Sequence, residues 1–207
     1  MAHARLLDIA IREFGAKGLD GASTRSIAAA AQTAMSSITY HYGGKEGLYL
    51  AAADRIAALM AETMTEARIF EETGAAADPD EARRGIHRIL GQLTDKMASD
   101  AGGEWTLFVM REQMKPSAAF DRIYGGVMGQ MVRTLAALVQ LATGQPVRAA
   151  QVATITLIGQ VLALRASRAT CLRLLDRDTL DADDIAQIKA RIDANIDAIL
   201  DSMRGPA

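Results

Sequence analysis

Aromatic residues, proline, cysteine and surplus positive charge are all scarce in this chain, and each shortage excludes something. Only 4% of the 207 residues are aromatic, although half are hydrophobic. The apolar content is mostly Ala, Leu, Ile and Met, with abundant Arg, and only four prolines interrupt it. That is helix-rich material. One cysteine, Cys171, excludes an intrachain disulfide and fits a reducing cytosol. With 23 Lys and Arg against 25 Asp and Glu, the net charge is −2, which argues against coating nucleic acid by charge alone. The N-terminus has no apolar run preceded by basic residues, so no signal peptide is expected. The longest apolar stretch, around Val152 to Leu164, is broken by Thr154, Thr156, Gly159 and Gln160 and reads as too short to span a bilayer. A cytoplasmic protein that does not engage a membrane is expected. No segment alternates with period two and no internal repeat is visible, so the expected fold class is all-α.

Catalytic constellations are missing too. His3, His41 and His87 are far apart in sequence and have no Cys or His at metal-ligand spacing. GGKEG at 43–47 suggests a phosphate loop but lacks the leading glycine spacing and the Ser/Thr after lysine. Glu104, Glu112 and Asp121 would pair only through the tertiary fold, and read more simply as solvated or salt-bridged surface acids. No enzyme activity, metal or cofactor is expected.

What is present is concentrated in residues 23–49, STRSIAAAAQTAMSSITYHYGGKEGLY. Ser23 and Thr24 can accept from the free N–H groups that open a short helix. Ile27, Ala28 and Ala31 give that helix a small apolar face. The connection falls at 32–34, and a second helix runs from about Met35 to Tyr42. Within it Ile38 and Tyr42 point inward, leaving Ser36, Ser37, Thr39, Tyr40 and His41 outside. That outer face is polar, aromatic and uncharged. Lys45 stands at the first turn of the next helix, where it can join backbone N–H groups in holding a phosphate. A small buried face, a short polar reading face and a phosphate clamp, in this order, are the parts of a helix-turn-helix that reads DNA.

The run LLDIAIREFGAKGLDGASTRSIAAAA…ITYHYGGKEGLY resembles the N-terminal domain of TetR-family transcriptional regulators. ITYHYGGKEGLYLAA, with REQMKPSAAFDRIY and LIGQVLALRASRATCLRLL, is similar to the CecR-like subgroup, whose C-terminal domain is of the DUF1956 type. Carried over position by position, the resemblance implies DNA contacts from Thr24, Arg25, Ser36, Ser37, Thr39, Tyr40, His41 and Lys45. Thr24 and Lys45 would position the DNA backbone, while the 36–40 face specifies sequence. The turn departs from the family, which usually has Gly-Val-Ser or Gly-Val-Asn where this chain has Gln32, Thr33 and Ala34. Gln32 lacks glycine's freedom at positive φ, and Ala34 cannot cap the reading helix.

Elsewhere the pattern is helical throughout. Ala4 to Ala16 places Leu6, Leu7, Ile9, Ala10 and Phe14 at helical spacing, closed by Gly18. A fourth helix runs from Gly44 to about Phe70. Glu71 to Asp80 is the clearest boundary, after which Asp78, Pro79 and Glu81 open a helix to about Ser99. Trp105 to Met114 follows, then one period over Ala118 to Ala142, then helices at about Val147 to Leu175 and Asp181 to Met203. The expected domains are 1–48, a three-helix DNA-binding head, and 49–207, a helical regulatory and dimerisation bundle with 49–70 as connecting helix.

Aromatic and methionine residues cluster between 105 and 131. Ordinary core is one reading; a deformable pocket for an apolar ligand is the other, favoured because the resemblance implies one. Its lining would be Trp105, Phe108, Arg111, Tyr124, Met128, Met131, Gln160 and Arg165. Ile188, Ile192, Ile196 and Ile199 on the last helix, with Gly159, Ala163 and Ala166 before it, suit a two-fold dimer seam as well as intramolecular packing. The resulting expectation is a ligand-responsive regulator, a repressor binding a pseudo-palindromic double-stranded operator as a homodimer. Its effector would be a small apolar or amphipathic molecule. Two alternatives stay open: a helical-bundle carrier or enzyme without specific DNA binding, and a ligand-blind regulator.

Overall fold

The computed structural model describes residues 2–63, 78–99 and 103–204. Helices form nearly all of this and no strand occurs among the described residues, so the all-α expectation holds. The chain divides into two compact units, Met1–Thr63 with Ala101–Gly129, and Met64–Asp100 with Gln130–Ala207.

The first unit is built on α1 (Ala2–Gly21), whose Leu6, Ala10, Ile11 and Phe14 are buried at helical spacing. Gly18 ends the regular helix as expected, at φ 73 and ψ 176, a conformation essentially reserved for glycine, and a short helical piece continues beyond this kink to Gly21. Next come α2 (Thr24–Ala30), α3 (Met35–Tyr42) and α4 (Lys45–Thr63). Leu48, Ala52 and Ile56 of α4 are fully buried. The expected continuation of α4 to Phe70 lies outside the described residues, as does most of the boundary at 71–80.

Two more helices complete this unit, α6 (Gly103–Met114) and α7 (Ala118–Ile123), after α5 of the second unit (Pro79–Ala98). Tyr49 of α4 stacks on Phe108 at 4.5 Å and meets Phe14 edge-on at 4.9 Å. Beneath that stack lies Glu112, read from sequence as a surface acid but buried here. Its Oε1 accepts from the Tyr49 hydroxyl at 2.7 Å, and its Oε2 from Ser117 N, Ser117 Oγ and Phe120 N at 3.0, 2.8 and 3.0 Å. A carboxylate caps the N-terminus of α7 favourably, which no local pattern around Glu112 announces. Burial, reinforced by this carboxylate, pushes the Tyr49 hydroxyl well above its ordinary value, so it remains a donor.

The uninterrupted helix expected over Ala118 to Ala142 is not continuous. A π-helical turn, Tyr124–Met128, separates α7 from α8 (Gly129–Thr143), with Gly126 non-helical at ψ −148. A Cβ on Gly126 would stand 3.3 Å from the Cβ of Ala57, so its lack of side chain permits close approach to α4.

In the second unit α5 starts as expected: Asp78 accepts from Glu81 N at 2.7 Å and Pro79 takes the first turn. It packs with α8, α9 (Val147–Ala166) and α11 (Ala182–Met203) around one core, which includes Ile86, Leu90, Leu135, Leu157, Ile196 and Leu200. Ser167 (φ −111, ψ 24) interrupts the single helix expected over Val147 to Leu175, leaving α10 (Arg168–Leu175) with no buried residue. By length and composition α9 could cross a membrane, contrary to the reading of its apolar stretch as too short. Its inner face, Ala150, Ala153, Leu157 and Val161, lies in the core instead.

Charge ties α5 to α11 along their exposed margin. Arg83 reaches Asp197 at 2.8 Å and Asp201 at 2.6 Å; His87 lies 3.0 Å from Asp193 and 2.8 Å from Asp197; Lys189 pairs with Asp95 at 2.8 Å. Arg83 holds the Asp201 carboxyl below the ordinary aspartate value. At Asp197 burial acts upward, but hydrogen bonds from His87 and Arg83 outweigh it and the value again falls. Both folded-state values are depressed. Their contribution is therefore fully present above the unfolded aspartate pKa, ~3.9, and is lost as pH falls through the folded values. Because these carboxylates are half-exposed, solvent screens the effect. Arg83→Ala should lower the Tm at neutral pH by a few degrees, and the gap from the parent should close in melts repeated towards pH 3.

Candidate nucleic-acid interface

The reading helix is assembled from very little chain. Ser23 Oγ accepts from Ser26 N at 3.3 Å, opening α2, and Ile27 and Ala28 bury its inner face. The turn closes through Gln32 N→Ala29 O at 3.1 Å and Thr33 N→Ala28 O at 3.0 Å. Gln32 sits at φ 54, in the left-handed region that glycine occupies without strain. Ala34 is the N-cap of α3 and supplies no side-chain bond. Both departures from the family's turn are thus realised in the backbone.

On α3, Ile38 is 1% exposed and faces inward, while Tyr40 is 85% exposed. Ser36, Thr39 and His41 are also exposed; Ser37 and Tyr42 are half-buried. The structure therefore brings Ser36, Thr39, Tyr40 and His41 onto one outward surface, with Arg25 exposed and Thr24 half-buried on α2. Gly43 ends α3 at φ 73, its N–H bonded to Thr39 O.

Lys45 opens α4 as expected, but its Nζ donates to the Asp20 carbonyl at 3.0 Å, stitching α4 to the end of α1. The helices can join this tightly because of Gly47. A Cβ there would stand 1.6 Å from the Tyr42 carbonyl oxygen. The third glycine of GGKEG was the visible signal for this approach, and the sequence reading assigned it no role. It also assigned none to His3, which α1 places against the reading helix. The His3 and His41 rings lie 4.7 Å apart, edge to face, and His3 Nδ1 is 3.3 Å from the Tyr42 hydroxyl. The two histidines belong to different helices, far apart along the chain, so no spacing rule could have linked them.

The eight residues expected to line a ligand pocket are divided between the units. In the first, Phe108 is fully buried in the aromatic stack. Arg111 donates to the carbonyls of Gly15 at 2.6 Å and Ala16 at 2.7 Å, which ties α6 to α1 just before the kink at Gly18. Trp105 is half-buried, Tyr124 is exposed and stacked on Phe120, and Met128 is buried beside Gln113. In the second, Met131 belongs to the core, Gln160 accepts from Asn195 at 3.2 Å, and Arg165 bonds the Ser99 carbonyl. A groove of ≈ 600 Å³ in that unit, lined by residues including Arg84, Thr143 and Arg204, contains none of the eight.

The expected dimer residues also separate by environment. Ile192 and Ile196 are buried within the chain's own core, so they hold the bundle together before any partner arrives. Ile188 and Ile199 are half-buried against it. Gly159, Ala163 and Ala166 stand exposed on α9 together with Val152, Ile155 and Leu162. Among the described residues no group of three or more His, Cys, Asp or Glu is placed to hold a metal ion.

The strained, uncapped turn can be tested directly. Gln32→Gly should stabilise the chain by up to ~1 kcal/mol by removing the left-handed penalty. Ala34→Ser should add about 0.5–2 kcal/mol by capping α3. Urea unfolding of the two variants and the double variant measures both.

Residues 6–52 match the family model described as bacterial regulatory proteins, tetR family. Residues 80–203 match the one described as the C-terminal domain of the HTH-type transcriptional dual regulator CecR. The HTH-type transcriptional dual regulator CecR of Shigella flexneri is 31% identical over 207 residues, covering 98% of this chain and 92% of that protein. Among solved structures, SCO4454, a TetR-family transcriptional regulator from Streptomyces coelicolor, superposes with a TM-score of 0.67 at 21% identity, over 99% of this chain and 96% of that one. AibR, solved in complex with isovaleryl coenzyme A and operator DNA, gives a TM-score of 0.63 at 16% identity, over 100% of both chains. With a helix-turn-helix head, an outward polar face on α3 and a C-terminal half matched by the CecR model, the chain belongs to the TetR family of DNA-binding transcriptional regulators, in its CecR-like branch.

Proposed function

We propose that the chain acts as a homodimer on a pseudo-palindromic double-stranded operator, with α3 of each protomer in the major groove. The observation that carries this reading is the outward face of α3. Tyr40 is 85% exposed beside Ser36, Thr39 and His41, with no core to satisfy. Ser36, Ser37, Thr39 and Tyr40 would read bases, while Thr24, Arg25, His41 and Lys45 hold phosphates. Lys45 would exchange the Asp20 carbonyl for a phosphate oxygen, a stronger, charge-assisted partner. Such a protein works where the DNA is, in the cytoplasm.

Dimerisation is carried by α9. Val152, Ile155, Gly159, Leu162, Ala163 and Ala166 recur at steps of three and four and are exposed in the single chain. A second copy related by a two-fold axis would cover this face with its own. Two short reading helices, spaced by whole turns of the duplex, then supply the affinity that one cannot.

The effector would be a small apolar or amphipathic molecule. AibR, crystallised with an acyl coenzyme A and operator DNA, supports the fold's capacity to hold both ligand and operator. Such a ligand changes DNA affinity only if it favours one arrangement of the heads over another. Tyr49–Glu112 and Arg122–Asp54 link α4 to α6 and α7, giving such a shift a path to the reading helix. The relative from Shigella flexneri is described as a dual regulator. Repression or activation would accordingly depend on where the operator lies relative to the promoter.

Two outcomes follow. On an operator selected from random DNA, Tyr40→Ala should weaken specific binding by ~1–3 kcal/mol, and Lys45→Ala should lower the salt slope by roughly one. Equal affinity of both variants and the parent would refute the assigned face. Ile155→Asp, on the exposed side of α9, should give a folded monomer by sedimentation with operator affinity reduced by ~100-fold or more. A dimeric Ile155→Asp variant with full affinity would place the seam elsewhere.

A further inference from the structure

The reading of α3 as the groove helix assigns no part to His3, yet the fold sets its ring against that helix. The two imidazoles meet edge to face at 4.7 Å, and Tyr40 in turn meets His41 edge to face at 5.0 Å. His3 and His41 are both exposed, so the pair lies on the outer surface of the head. Tyr42 stands behind them, its hydroxyl 3.3 Å from His3 Nδ1. A tyrosine hydroxyl donates to an unprotonated ring nitrogen and accepts from a protonated one, so this contact serves either charge state of His3.

We propose that His3 is a further DNA-contacting residue of this regulator, and that the His3–His41 pair makes operator binding take up protons. The inference rests on α3 being the groove helix. A phosphate brought beside this exposed pair places a negative charge there that favours protonated imidazoles in the complex. The groups around the pair do not cancel this effect. From α3 they are Tyr40 and Tyr42; on α1, Arg5 follows two residues after His3; α4 opens with Lys45, which turns to the Asp20 carbonyl, and exposed Glu46. Among the described residues, neither imidazole forms an ion pair with a carboxylate. His87, the other histidine, belongs to the second unit and is already held between Asp193 and Asp197. Substitution of His3 leaves those contacts in place.

Uptake averaging about half a proton over two pH units corresponds to roughly ten-fold in affinity. The test is operator binding by the full chain at constant ionic strength between about pH 8 and pH 6, for the parent, His3→Gln, His3→Lys and Tyr40→Ala. The parent should bind roughly ten-fold more tightly at the acid end. His3→Gln should lose most of that tightening. His3→Lys, a permanent cation, should bind at the alkaline end at least as tightly as the parent and give a flatter profile. A His3→Gln profile parallel to the parent's, or a parent with no pH response, overturns the proposal while Tyr40→Ala still weakens binding. If Tyr40→Ala is also without effect, the placement of α3 itself fails and takes this inference with it.

Discussion

An isolated helix of eight residues is not stable in water, because nucleation costs more than so few hydrogen bonds return. The reading helix α3 has that length, begins at an uncapped alanine and presents most of its surface to solvent. Its geometry is therefore held from outside. Ile38 buries its inner side, the left-handed Gln32 and Gly43 set its two ends, and the missing side chain of Gly47 lets α4 close onto its last carbonyl. Much of the first unit can be understood as the support this requires. Arg111 binds the carbonyls that precede the kink in α1, Lys45 binds Asp20, and Glu112 locks α4, α6 and α7 to one another. A short helix supported in this way can keep an outer face free of structural duty, and that is the face available to DNA.

The second unit divides its labour differently. Apolar burial provides its cohesion, while the ion pairs between α5 and α11 are half-exposed and serve mainly to fix the register of those helices. The last helix directs its isoleucines into this core, with Ile192 and Ile196 buried. What remains uncovered is the far side of α9, where small and branched residues share one stripe. In the proposed dimer, cohesion within the chain and association between chains would draw on two different helices, so that association could be altered without unfolding the protomer.

Much of this was readable from sequence wherever the signal was local. Helical periodicity placed Leu6, Ala10 and Phe14 on the buried face of α1, and Asp78-Pro79 marked a helix start that the structure reproduces. The α3 face followed from i, i+4 spacing alone, since Ile38 and Tyr42 leave only one side for the others. Where the sequence reading failed, the deciding contact came from elsewhere in the chain. Glu112 is buried because Tyr49 and the start of α7 converge on it. Arg111 is engaged because α1 breaks at Gly18. The helix expected through Gly125 and Gly126 gives way to a π turn where α4 comes within reach.

By itself, then, the sequence determined the all-helical class, the helix-turn-helix and the family, because periodicity, capping and motif spacing act over a few residues. Only the tertiary structure decided which isoleucines face inward, which of the aromatic residues are core, and that His3 meets His41 across the head. Those outcomes depend on which helix packs on which, and a period of 3.6 residues says which side of a helix is apolar without saying what will cover it.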